Sequence, residues 1–233
     1  LGAFGNQGPL KDKPGYDPLM QAYGGLMTIT GEPGRPPIRV GTSIIDMGTG
    51  MWCAIGILGA LKRQADTGEG STVDASLYET AVGWMNNAVA SAAIDPQNPQ
   101  REGSGARGMA PYQAYECSDG HLIIAAPNDR LFNRLADVLG HPEWPQDPRF
   151  DTNQNRYANL AELNALIEPV VLTRTRAEWQ QALDEVGIPS APVQQTLEMM
   201  ADPQTVALGI LQSKVGGGPL MAGLPLSFNG MRP

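Results

Sequence analysis

The chain has 233 residues, enough for one large domain or two modest ones that bury a core without disulfide or metal staples. Its formal net charge of −8 argues against non-specific binding to nucleic acid or to an anionic membrane, although one local Arg or Lys still lets a pocket take a small anion. The two cysteines, Cys53 and Cys117, lie far apart and read as reduced, cytoplasmic usage rather than a disulfide framework.

Residues 1–15 read as a glycine-rich loop ending Lys13-Pro14-Gly15. The chain opens Leu1-Gly2-Ala3 with no initiator Met and no charged leader, and the expectation is the back part of a longer polypeptide. Asp17-Pro18 marks a helix start, with Asp17 as its N-cap and Pro18 at the first helical position. That helix is expected to turn Leu19, Tyr23, Leu26 and Met27 inward and to stop near Gly31, before a Gly/Pro connector over 31–37. A short polar stretch then leads to Asp46, after which the chain is almost wholly apolar from Met47 to Leu61. This run falls short of the ~20 residues that span a bilayer. Met47, Met51, Trp52, Ile55 and Leu58 recur at helical spacing and are expected to pack into a core, with Cys53 among them as a core thiol. Lys62-Arg63-Gln64 suits the negative end of the helix.

A glycine turn over 67–70, a short strand over 71–75 and a second long helix to about residue 93 follow, the αβ portion of a parallel-sheet unit. Residues 95–105 read as a linker or mobile loop. Segments 112–116 and 121–126, joined through Cys117-Ser118-Asp119-Gly120, form a β-hairpin pattern. Amphipathic helices are expected near 128–139, 159–172 and 176–186, the last closed by Gly187. One more short helix over 196–208 and a last strand over 224–231 complete an α/β chain with a smaller, helix-rich domain after residue 100.

Asp46 is the leading candidate for chemistry. A carboxylate at the start of a buried helix sits near unpaired backbone N–H groups and the positive end of the helix dipole, which favours its ionised form. Spacing alone leaves a plain helix cap equally open. Gly103-Ser104-Gly105-Ala106-Arg107-Gly108 matches the dinucleotide fingerprint literally, but a Pro/Gln linker precedes it and Met-Ala-Pro follows, so the Rossmann reading fails. His121 and His141 have no second ligand at metal spacing, and neither a phosphate-binding loop nor a nucleophile-elbow serine is present. Carboxylate chemistry is what remains.

Several segments in order carry a resemblance. They are Gly2-Ala3-Phe4-Gly5-Asn6-Gln7-Gly8-Pro9, Pro14-Gly15-Tyr16-Asp17, Gln21-Ala22 and Gly25-Leu26-Met27, then Asp46 and the helix through Arg63. Thr67 to Asp74, Ala110-Pro111-Tyr112-Gln113, Asp119-Gly120, Gly187 to Val193 and the tail from Pro225 to Gly230 continue it. Together they resemble the class III CoA-transferase (CaiB/BaiF) family, the group of formyl-CoA transferase and carnitine CoA-transferase that also includes α-methylacyl-CoA racemase. The resemblance implies an α/β fold made of part of a Rossmann-like parallel-sheet large domain (1–100), a small α+β domain (101–195) and a return segment (196–233). It implies a transferase that moves CoA from an acyl-CoA to a carboxylic acid, with Asp46 as the nucleophile that forms a mixed anhydride and then an aspartyl-CoA thioester. Coenzyme A and acyl-CoA are then substrates, with no permanently bound cofactor and no metal.

By the same resemblance Tyr16 and Asp17 help hold the acid, and Gly103, Gly105 and Gly108 lie where transferases carry a loop that shields the anhydride from water. That loop differs in sequence from the longer glycine run of formyl-CoA transferase. The family's racemases pair the shared aspartate with a histidine thirty residues earlier, a position that here is Tyr16. A phenol with a pKa near ~10 is a poor α-proton base at neutral pH, which favours the transferase. The racemase and a non-catalytic fragment or subunit are the alternatives, with a plain acyl-CoA hydrolase behind them. Family members carry a longer N-terminal half and form interlocked homodimers, so the expected partners are that missing half, in the same or a separate chain, and a second copy.

Overall fold

The computed structural model describes residues 1–213 and 217–232. Two compact units make up the chain, Leu1–Arg107 and Gly108–Pro233.

The first unit holds five helices: α1 (Asp17–Tyr23), α2 (Leu26–Ile29), α3 (Ile44–Thr67), α4 (Leu77–Trp84) and α5 (Asn86–Ile94). Gly25, at φ +90°, separates α1 from α2, a backbone conformation that favours glycine. The inward face of α1 is Asp17, Met20 and Gln21, while Leu19 and Tyr23 are exposed, contrary to the sequence expectation. The difference has a physical cause: Asp17 points inward to bond α3, and residues 17, 20 and 21 then share one helical face. Leu26 is buried as expected, and Tyr23 still packs its ring edge-on against Phe4 and Tyr78.

Helix α3 runs to Thr67 and stops at Gly68, φ +75°, whose N–H donates to the Gln64 carbonyl. Its 24 residues make it long and apolar enough to cross a membrane by length and composition, which the apolar run alone did not suggest. Only Ile45, Gly48 and Thr49 are buried. Met47 (62% exposed), Met51, Trp52, Ile55 and Leu58 (67%) are exposed, and Cys53 is half-buried, so the expected core stripe is not covered within this unit. The covered side faces α4: a Cβ on Gly48 would stand 2.8 Å from the Trp84 ring, and the hydroxyls of Thr49 and Thr80 lie 2.8 Å apart.

The segment 71–75 is extended but is not a strand. Its end meets the N-terminus in one parallel bridge, Gly2↔Ser76, made by Gly2 N–H to the Ala75 carbonyl and Leu77 N–H to the Gly2 carbonyl. Ser76 then caps α4 by accepting the Glu79 N–H. The long helix expected after it is two helices that break at Met85.

In the second unit β1 (Tyr112–Cys117) and β2 (Gly120–Ala125) form the expected hairpin, in register from Tyr112↔Ala125 to Cys117↔Gly120. β3 (Ser190–Pro192) adds antiparallel to β2. Helices α6 (Asp129–Leu139), α7 (Asn153–Ala158), α8 (Leu160–Val171) and α9 (Arg176–Glu185) surround a core of Tyr115, Leu122, Phe132, Leu135, Ile167 and Trp179. Sequence periodicity missed α7, a short helix started by Thr152 accepting the Asn155 N–H. The helix expected over 196–208 is split into α10 (Thr196–Ala201) and α11 (Pro203–Leu208), because Asp202 precedes a proline and is extended at φ −61°, ψ 132°. The closing strands are β4 (Leu211–Ser213) and β5 (Leu220–Ala222), not 224–231, where the pairing is one bridge, Phe228↔Met231.

Arg156 on α7 is fully buried and ties this unit together. Its guanidinium donates to the carbonyls of Ala110 (2.9 Å), Phe150 (2.9 Å) and Pro127 (3.2 Å) and to the Asp129 carboxylate (2.8 Å), and lies 4.5 Å over the Phe132 ring. Arg156→Met would leave three carbonyls without this donor, at about 1–3 kcal/mol for each that stays buried and unpaired. Urea unfolding is expected to show a loss of at least about 3 kcal/mol, and Arg156→Lys to recover only part of it, since an ammonium has no planar fork.

Candidate functional site

Asp46 is the third residue of α3, after Ile44 and Ile45, and its side chain is exposed. It does not cap its own helix. The N-cap residue is Ser43, whose side chain makes no capping bond. That function comes from α1. Asp17, 2% exposed, places Oδ2 2.7 Å from the Ile45 N–H and 3.1 Å from the Asp46 N–H, the donors an N-cap side chain ordinarily satisfies. The Ile44 N–H donates to the Thr42 carbonyl and the Met47 N–H to the Ser43 carbonyl. All four N–H groups of the first turn are therefore engaged, and the unpaired donors expected beside Asp46 are already occupied. Among the described residues no hydrogen bond or ion pair reaches the Asp46 carboxylate.

Asp17 is held from the other side. Its Oδ1 accepts from Gln21 Nε2 at 2.6 Å, and Gln21 Oε1 accepts the Val40 N–H at 2.8 Å. Gln21 is completely buried. Both oxygens of Asp17 are thus engaged by protein donors, and Asp17 does not cap α1, as the Asp-Pro pair suggested; the residue at that N-cap is Tyr16. Tyr16 is 73% exposed, immediately before the residue that bonds the Asp46 backbone. The sequence missed Gln21 as a site residue. Its only signal was a polar pair, Asp17 and Gln21, four residues apart on a face shared with Met20.

Of the three candidate glycines, Gly103 and Gly105 belong to the first unit and Gly108 to the second. Gly103, φ +60°, donates its N–H to the Gly31 carbonyl, and a Cβ there would lie 2.5 Å from the Glu32 carboxylate. Gly103 and Gly105 line a cavity of about 250 Å³ with Ile29, Asn87, Ser91 and Arg107. Tyr16, Asp17 and Asp46 are not among its lining residues. Gly108 belongs to the second unit, where its carbonyl accepts from Asn153 Nδ2 at 2.8 Å.

The other charged cluster is in the second unit. Arg176 bonds Glu198 Oε1 at 2.8 Å and lies 3.6 Å from Asp119 Oδ2 beside a cavity of about 200 Å³. The Arg176 hydrogen bond, aided by the Gln195 N–H, holds the Glu198 carboxyl down to about 2. Arg176 also donates Nη1 to the Val193 carbonyl at 3.2 Å, so the pair works as a lock between α9 and α10, although Arg176 Nε is buried without a hydrogen-bond partner among the described residues. Cys117 is buried in β1 and burial pushes its thiol up, which makes it an inert core residue.

Residues 1–232 match the profile of CoA-transferase family III. The acetyl-CoA:oxalate CoA-transferase of Acetobacter aceti is 35% identical over 228 residues, covering 97% of this chain and 58% of that protein. The succinyl-CoA–D-citramalate CoA-transferase of Chloroflexus aurantiacus is 36% identical over 208 residues, covering 89% and 52%. Among solved structures, a CAIB/BAIF family protein from Brucella suis superposes with a TM-score of 0.88 at 34% identity, over 99% of this chain and 61% of that one. The chain thus spans about half the length of the curated relatives it matches.

The glycine loop offers a direct check. Gly103→Ala must accommodate both a positive φ and the Glu32 carboxylate, whereas Gly105 has no left-handed backbone to defend. Limited proteolysis of the 95–108 segment is expected to quicken in Gly103→Ala and to change little in Gly105→Ala.

Proposed function

Because this chain belongs to CoA-transferase family III, we propose that Asp46 is the covalent nucleophile of a CoA transfer between two carboxylic acids. The observation that carries the assignment is an exposed carboxylate, free of protein hydrogen bonds among the described residues, on a helix turn whose backbone is fixed by Asp17. A nucleophile needs accessible lone pairs and a fixed origin, and Asp46 has both.

In this reading the Asp46 oxygen attacks the acyl-CoA carbonyl, the C–S bond breaks, and CoA leaves as a thiolate. The thiolate attacks the aspartyl carbonyl of the resulting anhydride, which releases the first acid and leaves an aspartyl-CoA thioester. The acceptor carboxylate attacks that thioester, and the thiolate then attacks the acceptor's acyl carbon, so that new acyl-CoA and free Asp46 form. No net proton or electron is consumed. Each step is an exchange at one carbonyl, the division of a hard transfer into easier ones. The exposed Tyr16 is assigned the orientation of the acid, and the loop through Gly103, Gly105 and Gly108 the exclusion of water from the anhydride. The relatives' substrates, acetyl-CoA with oxalate and succinyl-CoA with citramalate, make short acyl groups and small carboxylates the first to try.

The uncovered face of α3 belongs to the same proposal. A helix that is apolar on both sides is ordinarily buried between layers, and each large side chain covered contributes about 1.5–3 kcal/mol. We place over Met47, Met51, Ile55 and Leu58 the N-terminal half of the large domain, in the same chain or a separate one, within an interlocked homodimer in the cytoplasm. On this account α3 is a core helix and not a membrane span.

Incubation of the full-length protein with acetyl-CoA or succinyl-CoA, followed by hydroxylamine, is expected to leave a hydroxamate on the peptide that carries Asp46. Asp46→Ala and Asp46→Asn should show none. If wild-type protein turns over acyl-CoA and the peptide is unmodified, the nucleophile is elsewhere.

A further inference from the structure

We propose that Asp17 is a positioning residue for the reaction: an N-cap supplied in trans, from α1, to the helix that carries the nucleophile. The inference rests on the assignment of Asp46 above. An N-cap side chain ordinarily comes from the residue just before its own helix. Here Ser43 makes no capping bond, and the carboxylate arrives from 28 residues upstream, buried, with one oxygen on the N–H groups of Ile45 and Asp46. The second of those donors belongs to the nucleophile itself, so the bond fixes the origin of the side chain that must attack.

The arrangement has a direction. The Val40 N–H donates to Gln21 Oε1, Gln21 Nε2 donates to Asp17 Oδ1, and the N–H groups of α3 donate to Asp17 Oδ2. Every donor points toward Asp17, which accepts from both sides and donates nothing, as an ionised carboxylate does. The same chain joins three pieces of backbone: α1, the connector at Val40 and the first turn of α3. One turn further along, α3 is held by the Thr49–Thr80 hydroxyl contact and the close approach of Gly48 to Trp84. By occupying the turn's donors, Asp17 also keeps the Asp46 carboxylate from folding back onto them.

The polarity of the chain dictates the test. In Asp17→Asn, the amide oxygen still accepts from α3 but the amide nitrogen faces the Gln21 nitrogen, donor against donor. Turning the Gln21 amide would set its nitrogen against the Val40 N–H. The double variant Asp17→Asn/Gln21→Glu resolves the conflict. Its new amide, on α1, donates to the new carboxylate one turn later, and that carboxylate accepts the Val40 N–H. The charge moves by one side chain and every bond is restored.

The measurement is single-turnover trapping of Asp46 by hydroxylamine, per mole of folded full-length protein, alongside steady-state kcat and KM. Asp17→Asn is expected to lower the trapping rate and kcat by roughly 10- to 100-fold, the effect of a misplaced reacting group, with little change in the KM for acyl-CoA. The double variant is expected to recover most of that loss. A merely structural Asp17 would reduce the folded fraction and leave the rate per folded molecule alone, a result that overturns the inference. So does a folded double variant that stays as slow as Asp17→Asn. Absence of any Asp46 adduct in active wild-type protein overturns the nucleophile assignment and this inference with it, whereas an adduct that forms equally fast without Asp17 overturns this inference alone.

Discussion

The site hangs on one buried carboxylate. Asp17 Oδ2 takes the N–H groups of Ile45 and Asp46, and Oδ1 is held by Gln21. A buried carboxylate is tolerable only when it is hydrogen-bonded, and both oxygens here accept from donors within the first unit. The consequences spread outward. The need to aim Asp17 inward fixes the rotation of α1, which turns Leu19 and Tyr23 out and Met20 in. The bond to α3 fixes where that helix begins, and Ile45 is buried with Met20, Leu26 and Ala81 as a result. Asp46, one residue on, is left exposed, its carboxylate without a protein partner among the described residues.

The two sides of α3 have opposite characters. Toward α4 the approach is close enough that Gly48 has no room for a Cβ, and a hydroxyl contact reinforces it. On the other side a row of Met, Ile and Leu faces outward. An apolar surface of this kind on a charged, acidic chain is ordinarily a contact surface. Asp46, the proposed nucleophile, is in the first turn of that helix, so whatever covers the helix would also shape the space above it. This chain covers 58% and 52% of the length of two of its relatives.

Much of the fold was legible because local signals decided it. The Cys117 to Gly120 turn set the hairpin register, the Asp129–Leu139 helix followed its amphipathic pattern, and Gly68 and Gly187 stand at helix ends. The misreadings came where a distant partner won. Periodicity marks which residues of α3 are apolar but not whether a partner covers them. The stretch 71–75 has strand composition, yet a strand needs a neighbour, and its end finds only Gly2. The single carboxylate Asp46 was identifiable as a residue to watch, while its cap was not: Asp17-Pro18 is a standard helix start, and nothing in its spacing says that the side chain serves another helix 28 residues later. Gln21 carried no more signal than its four-residue spacing from Asp17.

The central claim is that Asp46 itself carries the acyl and CoA groups, and oxygen transfer tests it without trapping. In the proposed cycle one oxygen of the acceptor acid ends on the aspartate when the thiolate cleaves the second anhydride. Turnover with an acceptor carboxylate labelled with oxygen-18, followed by mass spectrometry of the peptide that contains Asp46, is therefore predicted to place the heavy isotope on Asp46 as unlabelled enzyme cycles. Formation of new acyl-CoA with no heavy oxygen on Asp46 would contradict the account.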